Sequence, residues 1–136
     1  MTGALKSGVQ VLIVDDDDLT RNALQSIVEG EGYPAATAAN GREAFNYLLR
    51  NVQPRLILLD LMMPVMSGWE FRYEQRRDPT LARIPVVVCS GAGDLEQEVS
   101  LLGAAGCLKK PIDAGRLVDT VRSFCNGIEA CPDSSG

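Results

Sequence analysis

Five short apolar runs alternate with amphipathic segments along this chain, and this alternation restricts the fold more than any other feature. The runs cover residues 9–14, 33–38, 55–59, 84–89 and 105–108, of which the second is the weakest. Such alternation is typical of parallel strands joined by helical crossovers. The runs RLILLD and IPVVVCS are apolar almost throughout, as expected of strands that helices cover on both faces. The sequence therefore predicts an α/β fold built on a five-stranded parallel sheet.

Several segments between these runs begin with recognisable helix caps. Asn40 precedes Glu43 by three residues, which is the spacing of a capping box, and Ser67 precedes Glu70 in the same way. Asp113 is the expected cap of the last helix. In the first helix we expect one buried apolar stripe, formed by Leu19, Ala23, Leu24, Ile27 and Val28.

The length of 136 residues corresponds to one domain that is large enough to bury a core of its own. We expect this domain to span residues 9–126, after a short N-terminal lead at residues 1–8. Residues 127–136, which end in ACPDSSG, are expected to be a disordered tail.

Charge and composition exclude several classes of function. Eighteen acidic and thirteen basic residues give a net charge of −5, which argues against nucleic acid or an anionic membrane surface as the partner. Because the chain has no histidine, any histidine base, histidine metal ligand or phosphohistidine must belong to another molecule.

The cysteines and the N-terminus bear on the compartment. Cys89, Cys107, Cys125 and Cys131 form no CxxC pair, which fits a reducing compartment. The N-terminal residues contain no apolar run long enough for a signal peptide or a membrane span. We therefore expect a soluble, cytoplasmic protein.

Reactive side chains follow four of the predicted strands. Asp15 and Asp16 follow the first, Asp60 ends the third, Ser90 ends the fourth and Lys110 lies just past the fifth. Any one of them alone is explained as a helix cap or a solvated loop residue. Ligands of open parallel sheets bind outside the carboxyl ends of the strands, so we expect these residues to converge there.

Three carboxylates brought together raise one another's pKa values unless a cation compensates them. Magnesium takes oxygen ligands, and it typically uses one or two carboxylates together with waters and a phosphate oxygen. Lys110 and Ser90 would then face a phosphoryl group. The sequence therefore predicts a Mg²⁺ site next to a phosphoryl site.

The segments VLIVDDD, LILLDLMMPVMSG, VVVCSG and LKKP occur in this order, and with them the chain resembles a receiver domain of two-component response regulators over residues 9–126. The resemblance implies a sheet order of 2-1-3-4-5. It implies that Asp60 accepts a phosphoryl group from a phosphohistidine of a histidine kinase or a histidine phosphotransfer protein. It also implies a phosphoacceptor that catalyses only its own phosphorylation and dephosphorylation, rather than an enzyme with a separate substrate.

The same resemblance assigns the other site residues. It implies that Asp16 binds the metal directly, that Asp15 acts mainly through water, and that the backbone carbonyl of Met62 is a further ligand. Ser90 matches the hydroxyl that contacts the phosphoryl group. Lys110, which precedes a proline that receivers join by a cis peptide, matches the lysine that holds a phosphoryl oxygen, so Lys109 does not.

Output is expected to pass through a protein partner, because only about ten residues follow the last predicted helix. In similar receivers the partner binds the face formed by the fourth helix, which would begin here near Asp94, the fifth strand and the fifth helix. Receivers commonly carry an aromatic switch residue where this chain has Cys107, so we expect a smaller conformational response. Met62 and Ala92 stand where receivers place residues that orient the hydrolytic water, so we expect slow self-dephosphorylation.

Two alternatives remain open at this point. Asp16, Asp18 and Thr20 spell DxDxT, the motif of haloacid-dehalogenase-like phosphatases, in which Asp16 would be the nucleophile. That hypothesis leaves Asp60 without a role, whereas the receiver hypothesis assigns Asp17 and Asp18 to a helix start, where negative charge is favourable. The other alternative is a degenerate receiver that acts only as an interaction module, and Cys107 is its one supporting feature.

Overall fold

The computed structural model describes residues 8–91 and 95–126, and it contains one parallel sheet. The strands are β1 (Val11–Val14), β2 (Ala35–Ala38), β3 (Leu56–Asp60), β4 (Val86–Ser90) and β5 (Gly106–Lys109). Their order is β2-β1-β3-β4-β5, and every neighbouring pair is parallel. The predicted α/β fold, the five strands and the 2-1-3-4-5 order are confirmed.

Helices cover both faces of the sheet. They are α1 (Asp18–Gly30), α2 (Gly41–Arg50), α3 (Gly68–Arg77), α4 (Leu95–Leu102) and α5 (Ala114–Cys125), with a short 3-10 helix at Leu81–Arg83. One core cluster joins the sheet to α2, α3 and α4, and the other joins it to α1 and α5. Successive residues of the central strands alternate between the two clusters, which explains why these strands are apolar throughout.

The caps largely follow the sequence pattern. Ser67 and Glu70 form a complete capping box, and the carboxylate of Asp113 accepts a hydrogen bond from the first turn of α5. At α2 the capping box is incomplete, because Asn40 accepts from the backbone of Glu43 while the Glu43 carboxylate accepts from Ala39 N at 2.8 Å. The sequence therefore predicted where these helices begin, but the second bond of the capping box at α2 does not form as predicted.

The predicted stripe on α1 is wrong in part. Leu24 and Val28 are buried, but Leu19 is 79% exposed and Ala23 is exposed as well. Five residues along an α-helix correspond to a rotation of roughly 140°, so Leu19 lies on nearly the opposite side from Leu24. The stripe that contacts the sheet is narrower than the apolar spacing indicated.

Some predictions fall outside the described residues. They concern Ala92, the start of the fourth helix near Asp94, Cys131, the tail at residues 127–136 and most of the N-terminal lead. Within the part of the chain that the structure describes, no helix is long and apolar enough to cross a membrane.

Candidate functional site

The carboxyl edge of the sheet brings the predicted side chains together. Asp15 directly follows β1, Asp60 ends β3, Ser90 ends β4 and Lys110 directly follows β5. Asp15, Asp60 and Ser90 are buried, whereas Asp16 is exposed. One carboxylate oxygen from each of Asp15, Asp16 and Asp60 can be chosen so that all three lie within 4.8 Å of one another. The three acids therefore converge from two different strands.

Lys110 is the cation of this cluster. Its Nζ lies 2.8 Å from Asp15 Oδ2 and 3.6 Å from Asp60 Oδ1. The preceding Lys109 is exposed, as expected for a neighbour on a strand, and the Lys110–Pro111 peptide is cis. The structure therefore places Lys110, and not Lys109, at the acidic cluster.

The loop after β1 is held by its own hydrogen bonds. Asp15 Oδ1 accepts a hydrogen bond from Asp17 N at 2.9 Å, and Arg21 Nη1 donates to the carbonyl of Asp15 at 2.8 Å. The Asp17 side chain caps α1 by accepting from Thr20 N at 2.8 Å, and Asp18 pairs with Arg21. Asp17 and Asp18 thus serve the start of α1, as the receiver hypothesis predicted.

Burial and charge shift the pKa values at the centre of the site. Burial raises the pKa of Asp60 to about 6; the Lys110 charge opposes this rise, and the Asp15 charge adds to it. For Lys110, burial lowers the pKa, but the hydrogen bond to Asp15 and the charges of Asp15 and Asp60 outweigh it and leave the pKa raised. A carboxylate with a pKa near 6 is one whose charge is incompletely compensated.

The donor set fits a hard dication. Three carboxylates share one ammonium group, so negative charge is in excess at this edge of the sheet. Oxygen donors of this kind are those that Mg²⁺ prefers. Met62 lies two residues beyond Asp60 and its side chain is exposed, and the role of its carbonyl as a ligand stays a prediction.

Two glycines allow close packing around the loop between β3 and α3, and neither was predicted from the sequence to do so. A Cβ on Gly68 would lie 2.3 Å from the carbonyl oxygen of Asp60, and one on Gly41 would lie 2.8 Å from Met66. Gly68 N donates to the Leu61 carbonyl at 3.0 Å, so α3 begins directly against the backbone of the site. Within this loop Val65 has a φ of 67°, which is unfavourable for a β-branched residue. The glycine after the capping serine was the available sequence signal.

Cys107 is half-buried and packs against the core cluster that contains α4. It lines a cavity of about 480 Å³ together with Leu95, Lys110 and Arg116. The position at which similar receivers carry an aromatic ring therefore borders open volume next to the site.

Comparison with known proteins agrees with this geometry. The family model for the response regulator receiver domain matches residues 11–122. The polar-differentiation response regulator DivK of Brucella anthropi is 32% identical over 117 residues, which cover 84% of this chain and 94% of that protein. The chain belongs to the response regulator receiver domain family of two-component systems.

Solved structures show the same likeness. The Vibrio cholerae chemotaxis protein CheY4 superposes with a TM-score of 0.77 at 31% identity, over 86% of this chain and 98% of that chain. The signal receiver domain of a histidine kinase from Syntrophus aciditrophicus gives 0.78 at 32% identity, over 89% and 92%. The fold and the arrangement of strands are therefore those of known receivers.

Proposed function

We propose that the chain is a phosphoacceptor in two-component signalling, with Asp60 as the residue that is phosphorylated. The observation that carries this proposal is that Asp60 lies 3.6 Å from Lys110 Nζ and within 4.8 Å of two further carboxylates at the carboxyl edge of the sheet. An oxygen of Asp60 attacks the phosphorus of a phosphohistidine on a histidine kinase or a histidine phosphotransfer protein. The phosphorus–nitrogen bond breaks, its electron pair stays on the imidazole, and an acyl phosphate forms on Asp60.

The remaining site residues position and stabilise that group. Lys110 Nζ is already within reach of Asp60 and would bind a phosphoryl oxygen, while the hydroxyl of Ser90 at the end of β4 would donate to another. Asp15, Asp16, Asp60 and the carbonyl of Met62 would hold Mg²⁺. When bound, the ion supplies positive charge that offsets the carboxylates and the phosphoryl oxygens.

The DxDxT motif has another use in this structure. Asp18 pairs with Arg21 and Thr20 donates its backbone N–H to Asp17, so the motif builds the start of α1. Together with the family membership, this favours a receiver over a phosphatase with Asp16 as its nucleophile. The presence of all three acids, Ser90 and Lys110 favours a receiver that is phosphorylated over one that is degenerate.

The proposal also includes the limits of the domain, its location and its downstream partner. The receiver would span residues 9–126 between a lead at 1–8 and a tail at 127–136, and it would act in the cytoplasm. It would modify only itself, and a downstream protein would bind the face formed by α4, β5 and α5.

Phosphorylation by acetyl phosphate in the presence of Mg²⁺ tests the proposal. Intact-mass spectrometry should show one phosphoryl addition to the wild type, lost on removal of Mg²⁺ by a chelator and on treatment with hydroxylamine, which cleaves acyl phosphates. The Asp60→Asn variant should show none. Asp16→Asn is the matched control, because it should raise the Mg²⁺ concentration that phosphorylation requires while it keeps the acceptor. Labelling that persisted in Asp60→Asn would place the nucleophile elsewhere.

A further inference from the structure

Exposed apolar side chains flank a groove between α3 and α4. Trp69 is 37% exposed and Tyr73 is 62% exposed, and their spacing of four residues places both on one side of α3. Leu101 on α4 lies across the groove and is 64% exposed. The groove encloses about 360 Å³. Single exposed apolar residues such as Leu19 are ordinary, but aromatic and aliphatic residues that line one groove indicate a binding surface.

The groove is basic although the whole chain is acidic. Arg72, Arg76 and Arg77 line it, in a protein whose net charge is −5. Among residues 8–91 and 95–126, no carboxylate lies within ion-pair distance of Arg72 or Arg76. Arg77 makes one long ion pair, with 3.9 Å between its Nη1 and Glu74 Oε1. Its guanidinium also lies over the Tyr73 ring, 5.6 Å from the ring centre. This local excess of positive charge favours a partner that carries carboxylates.

The acidic residues of α3 lie on the other side of the aromatic pair. Glu70 and Glu74 line a separate groove together with Arg42, and Trp69 and Tyr73 form the boundary between the two grooves. The charges of Glu70 and Glu74 therefore face away from the α4 side. The two grooves beside α3 therefore differ in charge, because arginines and no glutamate line the groove toward α4, whereas two glutamates and one arginine line the other.

The walls of the groove are held in place before any partner binds. Arg72 Nε donates to the carbonyl of Leu102 at 2.9 Å, and its Nη2 donates to the carbonyl of Gly103 at 2.9 Å. The end of α4 is thereby joined to the middle of α3. A groove with fixed walls loses little conformational entropy when a partner binds.

We propose that the α3–α4 groove is a docking site for an acidic segment of a partner protein. An apolar side chain of that segment packs between Trp69, Tyr73 and Leu101, and its carboxylates pair with the guanidinium groups of Arg76 and Arg77. Tryptophan, tyrosine and arginine are the residues that most often dominate binding energy at interfaces. Arginine also binds carboxylates through two parallel hydrogen bonds, which fixes the orientation of the segment. This surface shares α4 with the α4–β5–α5 face but is completed by α3, and no residue of the carboxylate cluster lines it.

A photo-crosslinking experiment tests the proposal in cells that express the chain. p-Benzoylphenylalanine replaces Tyr73 in the full-length protein, and in a control it replaces Leu49, which is exposed on α2. We expect a crosslink at position 73 that is absent at position 49, to a peptide that contains both Asp or Glu and an apolar residue. No crosslink specific to position 73, or a crosslink to a second copy of the chain or to a segment without carboxylates, would overturn the proposal.

Binding of the purified crosslinked partner provides the second measurement. Trp69 is the only tryptophan in the chain and borders this groove, so its fluorescence reports binding beside α3, and substitutions in the groove assign the signal to the α4 side. Arg76→Glu and Leu101→Asp should each weaken binding by about tenfold or more. Arg50→Glu introduces the same change of charge on the exposed surface of α2 and should leave the affinity unchanged. Equal binding by Arg76→Glu and the wild type would contradict the proposal. Unfolding of Arg76→Glu and Leu101→Asp at the wild-type midpoint would show that a weaker affinity does not come from loss of the fold.

Discussion

Two buried polar clusters in this protein are built in opposite ways. At the carboxyl edge of the sheet three carboxylates cluster, two of them pair with the Lys110 ammonium group, and burial raises the pKa of Asp60 to about 6. Beneath α3, Arg72 donates to Gln75 Oε1 and to the carbonyls of Leu102 and Gly103. Gln75 in turn donates to the carbonyls of Leu81 and Ile84.

The comparison distinguishes a cluster that stabilises the fold from a cluster that is suited to bind a ligand. The Arg72 cluster has neutral acceptors for each of its guanidinium nitrogens, and the carbonyls at the end of α4 lie at the negative end of that helix. Burial, followed by the charge of Arg76, lowers the Arg72 pKa, yet each of the three guanidinium nitrogens donates a hydrogen bond. The carboxylate cluster leaves negative charge in excess, which a bound cation would offset. Hydrogen bonds that join separate segments of the chain indicate a structural role for Arg72, whereas carboxylates crowded together at a strand edge indicate a functional one.

Removal of the structural arginine should have the largest effect on stability. Arg72→Met leaves the Gly103 carbonyl and Gln75 Oε1 without this donor and leaves the Leu102 carbonyl only the long bond from Arg76, so the free energy of unfolding should fall by about 2–3 kcal/mol. Urea denaturation measures it, and phosphorylation per folded molecule should be retained. Arg76→Met is the control, because its single bond to Leu102 is 3.4 Å long. An equal loss in the two variants would contradict the assignment.

Removal of the Lys110 ammonium group should have a smaller effect on stability, and Mg²⁺ should reduce that effect. Lys110→Met leaves Asp15 and Asp60 facing each other, so without Mg²⁺ the free energy of unfolding at neutral pH should fall by about 2 kcal/mol. Added Mg²⁺ should restore part of this loss. Lys109→Met changes the exposed neighbouring lysine and should have little effect. A Lys110→Met loss that Mg²⁺ leaves untouched would show that charge is not its cause.

The raised pKa of Asp60 predicts a pH dependence of stability. The folded state binds this proton more tightly than the unfolded state, so without Mg²⁺ the wild type should lose stability as the pH rises from about 4 to about 6. Asp60→Asn should not show this loss, and above neutral pH it should be the more stable protein by about 1 kcal/mol, because its buried amide offsets part of the gain. Denaturant unfolding, carried out from about pH 4 to above neutral pH, measures the free energy of unfolding of each protein. Asp16→Asn removes an exposed carboxylate and is the control. Parallel profiles for Asp60→Asn and the wild type would contradict the shift.

The smallest expected effect concerns the lifetime of the phosphorylated form. The Met62 thioether is a poor hydrogen-bond partner for a water in line with the Asp60–phosphorus bond, so Met62→Asn should accelerate self-dephosphorylation several-fold. Decay of the acyl phosphate measures it. Val65→Asn alters an equally exposed residue of the same loop and should keep the wild-type rate. An unchanged rate in Met62→Asn would mean that this position does not control the water.

The site was more accessible to prediction from the sequence than the structural cluster was. Strand ends are visible as the limits of apolar runs, and a parallel sheet brings all of its carboxyl ends to one edge. Asp15, Asp60 and Lys110 could therefore be placed together without coordinates, although their distances could not.

Arg72 shows what the sequence conceals. It lies in FRYEQRR, a strongly polar stretch in which an arginine looks like a solvated surface residue. Its burial depends on the carbonyls of Leu102 and Gly103, thirty and thirty-one residues away along the chain. Leu19 is the opposite case, since it appears apolar enough for the core but has no strand to contact. Both cases show that burial depends on the partner element as well as on the helix itself.

The contact between Lys110 and Asp15 joins residues that are 95 positions apart along the chain. A ribosome that adds about 5–20 residues per second therefore needs roughly 5–20 s between synthesising the first acid and its cation. In the later part of that interval, once Asp60 has been added, the nascent chain carries Asp15, Asp16 and Asp60 without the lysine that opposes their charge. The acceptor site is completed only after β5 has joined the edge of the sheet, so an incompletely synthesised chain lacks the full site.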